Sequence, residues 1–148
     1  MMHNFFPKED LKTYQVMVGV GIDLLEISRL QEKIQRHGSR FLDRIFTLQE
    51  QQYCRKKFNP YGHYASRFCA KEAFVKALGW GISERCSWLD IDVYHDEKGK
   101  PCLRIAEKVY KYLPWKGISV HLSISDERRY AQAVVIVLAS VESLTGIS

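Results

Sequence analysis

From Val16 to Leu24 the chain alternates. Val16, Val18, Val20, Ile22 and Leu24 are apolar at every second position, the period of a half-buried β-strand. The intervening positions read Met17, Gly19, Gly21 and Asp23. Two glycines on one face indicate that something approaches the backbone closely there. Asp23 ends that stripped face, placed either to cap the helix that follows or to serve a site. Residues 26 to 37 then change to helical spacing, with Ile27, Leu30 and Ile34 as the inner stripe and Arg29, Lys33 and Arg36 sharing the other face. A second helical run covers Leu48 to Phe58, where Thr47 and Glu50 have the spacing of a capping box. Asn59-Pro60-Tyr61-Gly62 reads as a loop.

The stretch Arg67 to Gly79, RFCAKEAFVKALG, predicts the central helix. Good helix formers fill it and Gly79 supplies a C-terminal stop. Apolar residues cover most of its circumference, so it is expected to be largely buried. After Gly79-Trp80-Gly81, strand signals dominate. Leu89, Ile91 and Val93 alternate with polar positions, Asp96 to Pro101 make a turn, and Cys102 to Ile105 return, which is a hairpin. A short amphipathic helix, Ala106 to Leu113, precedes two more strands, one around Val120, Leu122 and Ile124 and one from Ala131 to Leu138. The apolar run Val134 to Leu138 marks the last strand as central. The predicted class is α+β, with helices packed on one face of a mainly antiparallel sheet. Residues 1–15 carry no clear period, are interrupted by Pro7, and read as a tail or a short added helix.

A chain of 148 residues, 46% of them apolar, has enough core for one domain. Its formal charge of +5 suggests an acidic partner. Eight basic and four acidic residues fall between Glu26 and Lys57, so that segment carries +4 of the charge. Cys54, Cys69, Cys86 and Cys102 form no C-x-x-C pair, which fits reduced thiols in a cytoplasmic protein better than a metal cluster or disulfide framework. There is no apolar run of membrane-spanning length and no secretory signal in MMHNFFPKEDLK.

Arg67, Lys71, Glu72 and Lys76 are the exceptional positions of the central helix, because burying unpaired charge is expensive. Glu72 and Lys76 at i, i+4 have the order of a simple helix ion pair. The alternative is a site in which cations hold phosphates beside a carboxylate. Magnesium binds through one or two carboxylates plus substrate phosphate oxygens, and Asp23 with Glu72 would supply them. G-x-S-x-G, H-E-x-x-H and G-x-x-x-x-G-K-[ST] are all absent. Ser123 and Ser125 read as cross-strand polar partners, and His37, His63, His95 and His121 are scattered without ligand spacing.

VGVGIDLLEISRL, RFCAKEAFVKALGWGI, DIDVYHDEKGKPCL and VHLSISDERRYAQAVVIV, in that order, closely resemble the holo-acyl-carrier-protein synthases, the short trimeric branch of the 4′-phosphopantetheinyl transferase superfamily. The resemblance spans about Met17 to Leu138, and it implies a single domain over residues 17–148 with residues 1–16 an extension without assigned function. It implies that the chain moves the phosphopantetheine arm of coenzyme A onto a serine of apo acyl carrier protein in support of fatty acid biosynthesis, releasing adenosine 3′,5′-bisphosphate. Asp23 and Glu72 match the family's Mg²⁺ ligands, and Lys76 the lysine that neutralises the coenzyme A pyrophosphate, making Glu72 and Lys76 the catalytic pair. Arg67 and Lys71 match cofactor-phosphate contacts. Arg29 matches an arginine that meets an acidic carrier helix, and Lys33 and Arg36 extend its face. Sites between subunits of a homotrimer are implied too. The serine proton needs a base, and a metal-activated water or Glu72 itself could take it. Two positions depart from the family pattern: Asp126 stands where histidine is common, and Trp80 where a small residue is usual.

A non-enzymatic basic module for an acidic protein or RNA is the competing expectation, using Arg29, Lys33, Arg36 and residues 55–57. The Asp23–Glu72 pair separates the two, since a binding module has no need of it. On the favoured transferase reading neither nucleic acid nor membrane is a partner.

Overall fold

Two antiparallel sheets and a long buried helix make up the fold. A computed structural model describes residues 14–141; the expectation for residues 1–16 lies almost wholly outside them. Strand β1 (Gln15–Glu26) leads into helices α1 (Ile27–His37), α2 (Ser39–Ile45), α3 (Leu48–Arg55) and α4 (Pro60–Ala77). Strands β2 (Ile91–His95) and β3 (Pro101–Ile105) form the expected hairpin, but as a separate two-stranded sheet. Helix α5 (Glu107–Tyr110) and strands β4 (Ser119–Asp126) and β5 (Tyr130–Ser140) complete the chain. The larger sheet has the order β1-β5-β4, so the apolar final strand is central as its sequence predicts.

Helix α4 lies across β1 and β5, and the glycine face of β1 is what it touches. A Cβ on Gly21 would sit 1.9 Å from the Ala73 carbonyl oxygen, and one on Gly19 2.0 Å from that of Ala77. Neither position can carry a side chain without moving the helix. The other face of β1 turns outward, leaving Val20, Ile22 and Leu24 more than half exposed (57, 55 and 61%). Alternation therefore gives the strand, but the buried side is the glycine side, because only there can a helix backbone come so close.

Helix α4 begins at Pro60, so the expected loop at 59–62 is its first turn; proline is well suited to the first helical position. Residues 39–45, read from sequence without an element, form α2. Gly38 adopts φ 58° and ends α1, and its N–H donates to the Ile34 carbonyl at 2.7 Å. Thr47 and Glu50 form the predicted capping box of α3.

Candidate active site

The junction between β1 and α4 brings Asp23, Glu72 and Lys76 together. Close approach over Gly21 and Gly19 lets the Lys76 ammonium reach back across the strand. It donates to Asp23 Oδ1 at 2.9 Å and to the Ile22 carbonyl at 3.0 Å. Lys76 thus pairs with the strand carboxylate rather than forming the simple helix pair with Glu72. The helix-capping alternative for Asp23 is also excluded, since the N-cap of α1 is Glu26 and makes no side-chain cap bond.

The hydrogen bond to Asp23 holds the Lys76 ammonium above its ordinary pKa. Glu72 is half-buried, and its carboxyl is pushed up by burial and then by the charge of Asp23, with Lys76 opposing. Behind them the Cys69 thiol is fully buried and donates to the Ala131 carbonyl at 3.4 Å. Burial, and secondarily Asp23, raise its pKa strongly, so it stays protonated and unreactive. Asp23 disfavours the charge of Glu72, and two neighbouring carboxylates are a donor set that a divalent cation relieves. Among the described residues no group of three or more acidic, histidine or cysteine side chains could hold a metal. Asp23 and Glu72 could hold such an ion only with substrate phosphate and water completing its shell, a coordination that magnesium allows.

Lys71 does not belong to this site. Its side chain is fully buried, pairs with Glu50 Oε2 at 2.8 Å, and donates to the carbonyls of Ile45 (2.7 Å) and Trp88 (3.0 Å). All three ammonium donors are used, so the expected phosphate contact is corrected to an internal ion pair. Burial lowers the Lys71 pKa, and Glu50 opposes that shift. Glu50 also accepts from the backbone N–H groups of Thr47 (2.7 Å) and Val93 (2.8 Å). The pair therefore ties α4 to α2, α3 and β2.

Arg67 is 2% exposed and lies 4.1 Å from the centroid of the Tyr53 ring. Its Nη1 donates to the His63 carbonyl at 3.3 Å, while its Nε is buried without a hydrogen-bond partner. On α1, Arg29, Lys33 and Arg36 are exposed and line a shallow cavity of about 250 Å³ together with Glu32 and His37. A larger hollow of about 450 Å³ lies beside it, walled by Lys33, His37, Arg40, Phe41 and Arg44. The α2 residues in that wall were missed from sequence because the run is short and follows a break at Gly38. Ser123, Ser125 and Asp126 are exposed on β4.

A fold in which a carboxylate-bearing strand meets a helix carrying glutamate and lysine defines a class. The chain matches the model of the 4′-phosphopantetheinyl transferase superfamily over residues 19–135, and it belongs to that family. It is 48% identical over 120 residues to the holo-[acyl-carrier-protein] synthase of Chlamydia caviae, covering 80% of this chain and 95% of that one. Among solved structures, the Bacillus anthracis holo-(acyl-carrier-protein) synthase in complex with CoA (3′,5′-ADP) superposes with TM-score 0.71 at 35% identity, covering 84% of this chain and 98% of that one. The Helicobacter pylori synthase in complex with coenzyme A gives TM-score 0.72 at 32% identity, with coverage of 80% and 98%. The chain is a phosphopantetheinyl transferase of the holo-[acyl-carrier-protein] synthase group. No helix among the described residues is long and apolar enough to cross a membrane.

Proposed function

We propose that the chain transfers 4′-phosphopantetheine from coenzyme A to a serine of an apo acyl carrier protein. The observation that carries this reading is the Asp23–Lys76 contact beside Glu72, at a helix–strand junction of a fold shared with coenzyme A-bound synthases. The serine oxygen attacks the pyrophosphate phosphorus attached to pantetheine. The new O–P bond replaces the bridging P–O bond, adenosine 3′,5′-bisphosphate leaves, and the serine proton passes to a base.

Asp23 and Glu72 would hold Mg²⁺, which supplies neutralisation of pyrophosphate charge. Lys76, half exposed beside Asp23, is placed to contact the same pyrophosphate. Such transfer depends on positioning and charge stabilisation more than on a protein nucleophile. Glu72, whose pKa burial raises above the ordinary carboxylate value, is when ionised a stronger proton acceptor than a free carboxylate. Arg29, Lys33 and Arg36, with Arg40 and Arg44 of α2 beside them, form the docking face for an acidic carrier helix, and complementarity of this kind chiefly raises the encounter rate and specificity.

The outward face of the large sheet supports a homotrimer. In the β1–β5 register Ile22 pairs with Val134 and Val20 with Ile136, producing a contiguous apolar surface of a kind that marks an interface. Copies of this chain are its proposed occupants, with Ser123 to Asp126 at the edge shared between subunits. A cytoplasmic place in fatty acid biosynthesis follows from the same reading. Incubating purified protein with apo carrier, coenzyme A and Mg²⁺ is expected to give phosphopantetheinylated carrier by mass spectrometry. No mass shift over a range of acyl carriers contradicts the assignment.

A further inference from the structure

Tyr53 of α3 sits at the centre of a cluster drawn from three elements. Its ring stacks on His95 of β2 (centroids 4.9 Å apart, planes at 18°) and meets His63 of α4 edge-on at 5.8 Å. The Arg67 guanidinium lies 4.1 Å from the ring centroid and the Lys57 ammonium 4.5 Å. No ion pair among the described residues includes Arg67, although the side chain is buried. Contact with Tyr53 offsets part of the cost of burying that cation, but the orphaned Nε remains a donor without an acceptor. Four groups able to carry positive charge thus surround one ring.

We propose that Lys57, His63, Arg67 and His95 form a proton-linked site for a phosphate monoester, in which the two histidines become charged ligands as the phosphate binds. The inference rests on the transferase reading for its ligand, the ribose phosphate of coenzyme A, and adds His63 and His95 to the residues that bind it. Arg67 is five residues from Glu72 on α4, about 7.5 Å along the axis. One helix can therefore address two separate anionic groups of the same molecule.

The surroundings of each imidazole decide the sign. His63 faces Arg67 and Lys57, with Asp126 as the opposing charge. Arg67, Lys57 and His63 face His95, with Asp96 opposing. Burial first, and the Arg67 charge second, hold both imidazoles below the ordinary histidine pKa, so both are neutral without ligand at neutral pH. A phosphate dianion reverses the local field and favours protonation of both rings. Affinity for a ligand carrying the monoester therefore rises as pH falls.

Calorimetry of the full chain in buffers of different ionisation enthalpy reads this directly, with coenzyme A and with dephospho-coenzyme A, which lacks the ribose phosphate. The expected result is greater proton uptake with coenzyme A, and a rise of about tenfold in the affinity ratio of the two ligands between about pH 8 and pH 6.5. In His63→Gln/His95→Gln the excess uptake should fall to what the phosphate's own titration contributes, and each single variant should lose part of it if the double variant does not fold. Equal uptake with both ligands, or unchanged uptake in the histidine variants, overturns the proposal alone. Failure of the folded protein to bind either ligand overturns it together with the transferase reading.

Discussion

Lys76 is bound to Asp23 across the helix–strand junction, at 2.9 Å, instead of to Glu72 one turn back on its own helix. The contact links the two elements that build the site and leaves Glu72 as a carboxylate disfavoured by burial and by its neighbour Asp23. Because Lys76 is half exposed, its removal is expected to cost little stability. Lys76→Met should lower kcat/KM on the order of 100-fold, the scale of losing one charge-stabilising donor, with a nearly unchanged Tm. Wild-type kcat/KM in this variant removes Lys76 from the reaction.

Glu50 and Lys71 behave oppositely. Both side chains are fully buried, so removing one strands the other's charge in the interior. Lys71→Met should destabilise the protein by about 3–5 kcal/mol, read from denaturant unfolding. Replacing both partners with apolar residues should recover much of the loss. A mild effect of the single variant would mean that water reaches the pair.

Gly21→Ala should be severe for its size. The added Cβ would meet the Ala73 carbonyl at 1.9 Å, and backbone cannot swing aside as a side-chain end can. Separation of α4 from β1 would displace Glu72 and Lys76 from Asp23, so thermal stability and activity should fall together. An active variant with wild-type Tm contradicts the close packing described.

Ile22→Lys places charge on the outward apolar face, where Ile22 is 55% exposed in the single chain. Sedimentation should show a trimer for the wild type and a smaller species for the variant. A wild-type monomer, or a variant of unchanged mass, removes that face as the interface.

Much of this was legible in the sequence for identifiable reasons. Alternation from Val16 to Leu24 and the paired glycines announced a strand under close approach, while Asp23 at its end stayed open between a helix cap and a site until the family resemblance was weighed. The side on which β1 is buried was not legible, since an apolar stripe left exposed on the single chain looks the same in sequence as one facing a core. Lys71 was misassigned because its partner, Glu50, lies 21 positions away and its spacing to Glu50 carries no local signal. His63 and His95 looked scattered because the cluster round Tyr53 exists only once α3, α4 and β2 are packed together.

Glu72 is proposed to serve the reaction at the expense of the unliganded fold. Its raised pKa means that the folded state favours the protonated form; the stability this contributes at low pH is lost as pH rises through the folded value. Glu72→Gln should therefore melt at or above the wild-type temperature at neutral pH without metal. The decisive measurement is the mass-spectrometric time course of apo carrier protein with coenzyme A and Mg²⁺, run with wild type and Glu72→Gln side by side. Rapid modification by the wild type and a loss on the order of 100-fold or more in the folded variant is the predicted result; equal rates for the two would contradict the account.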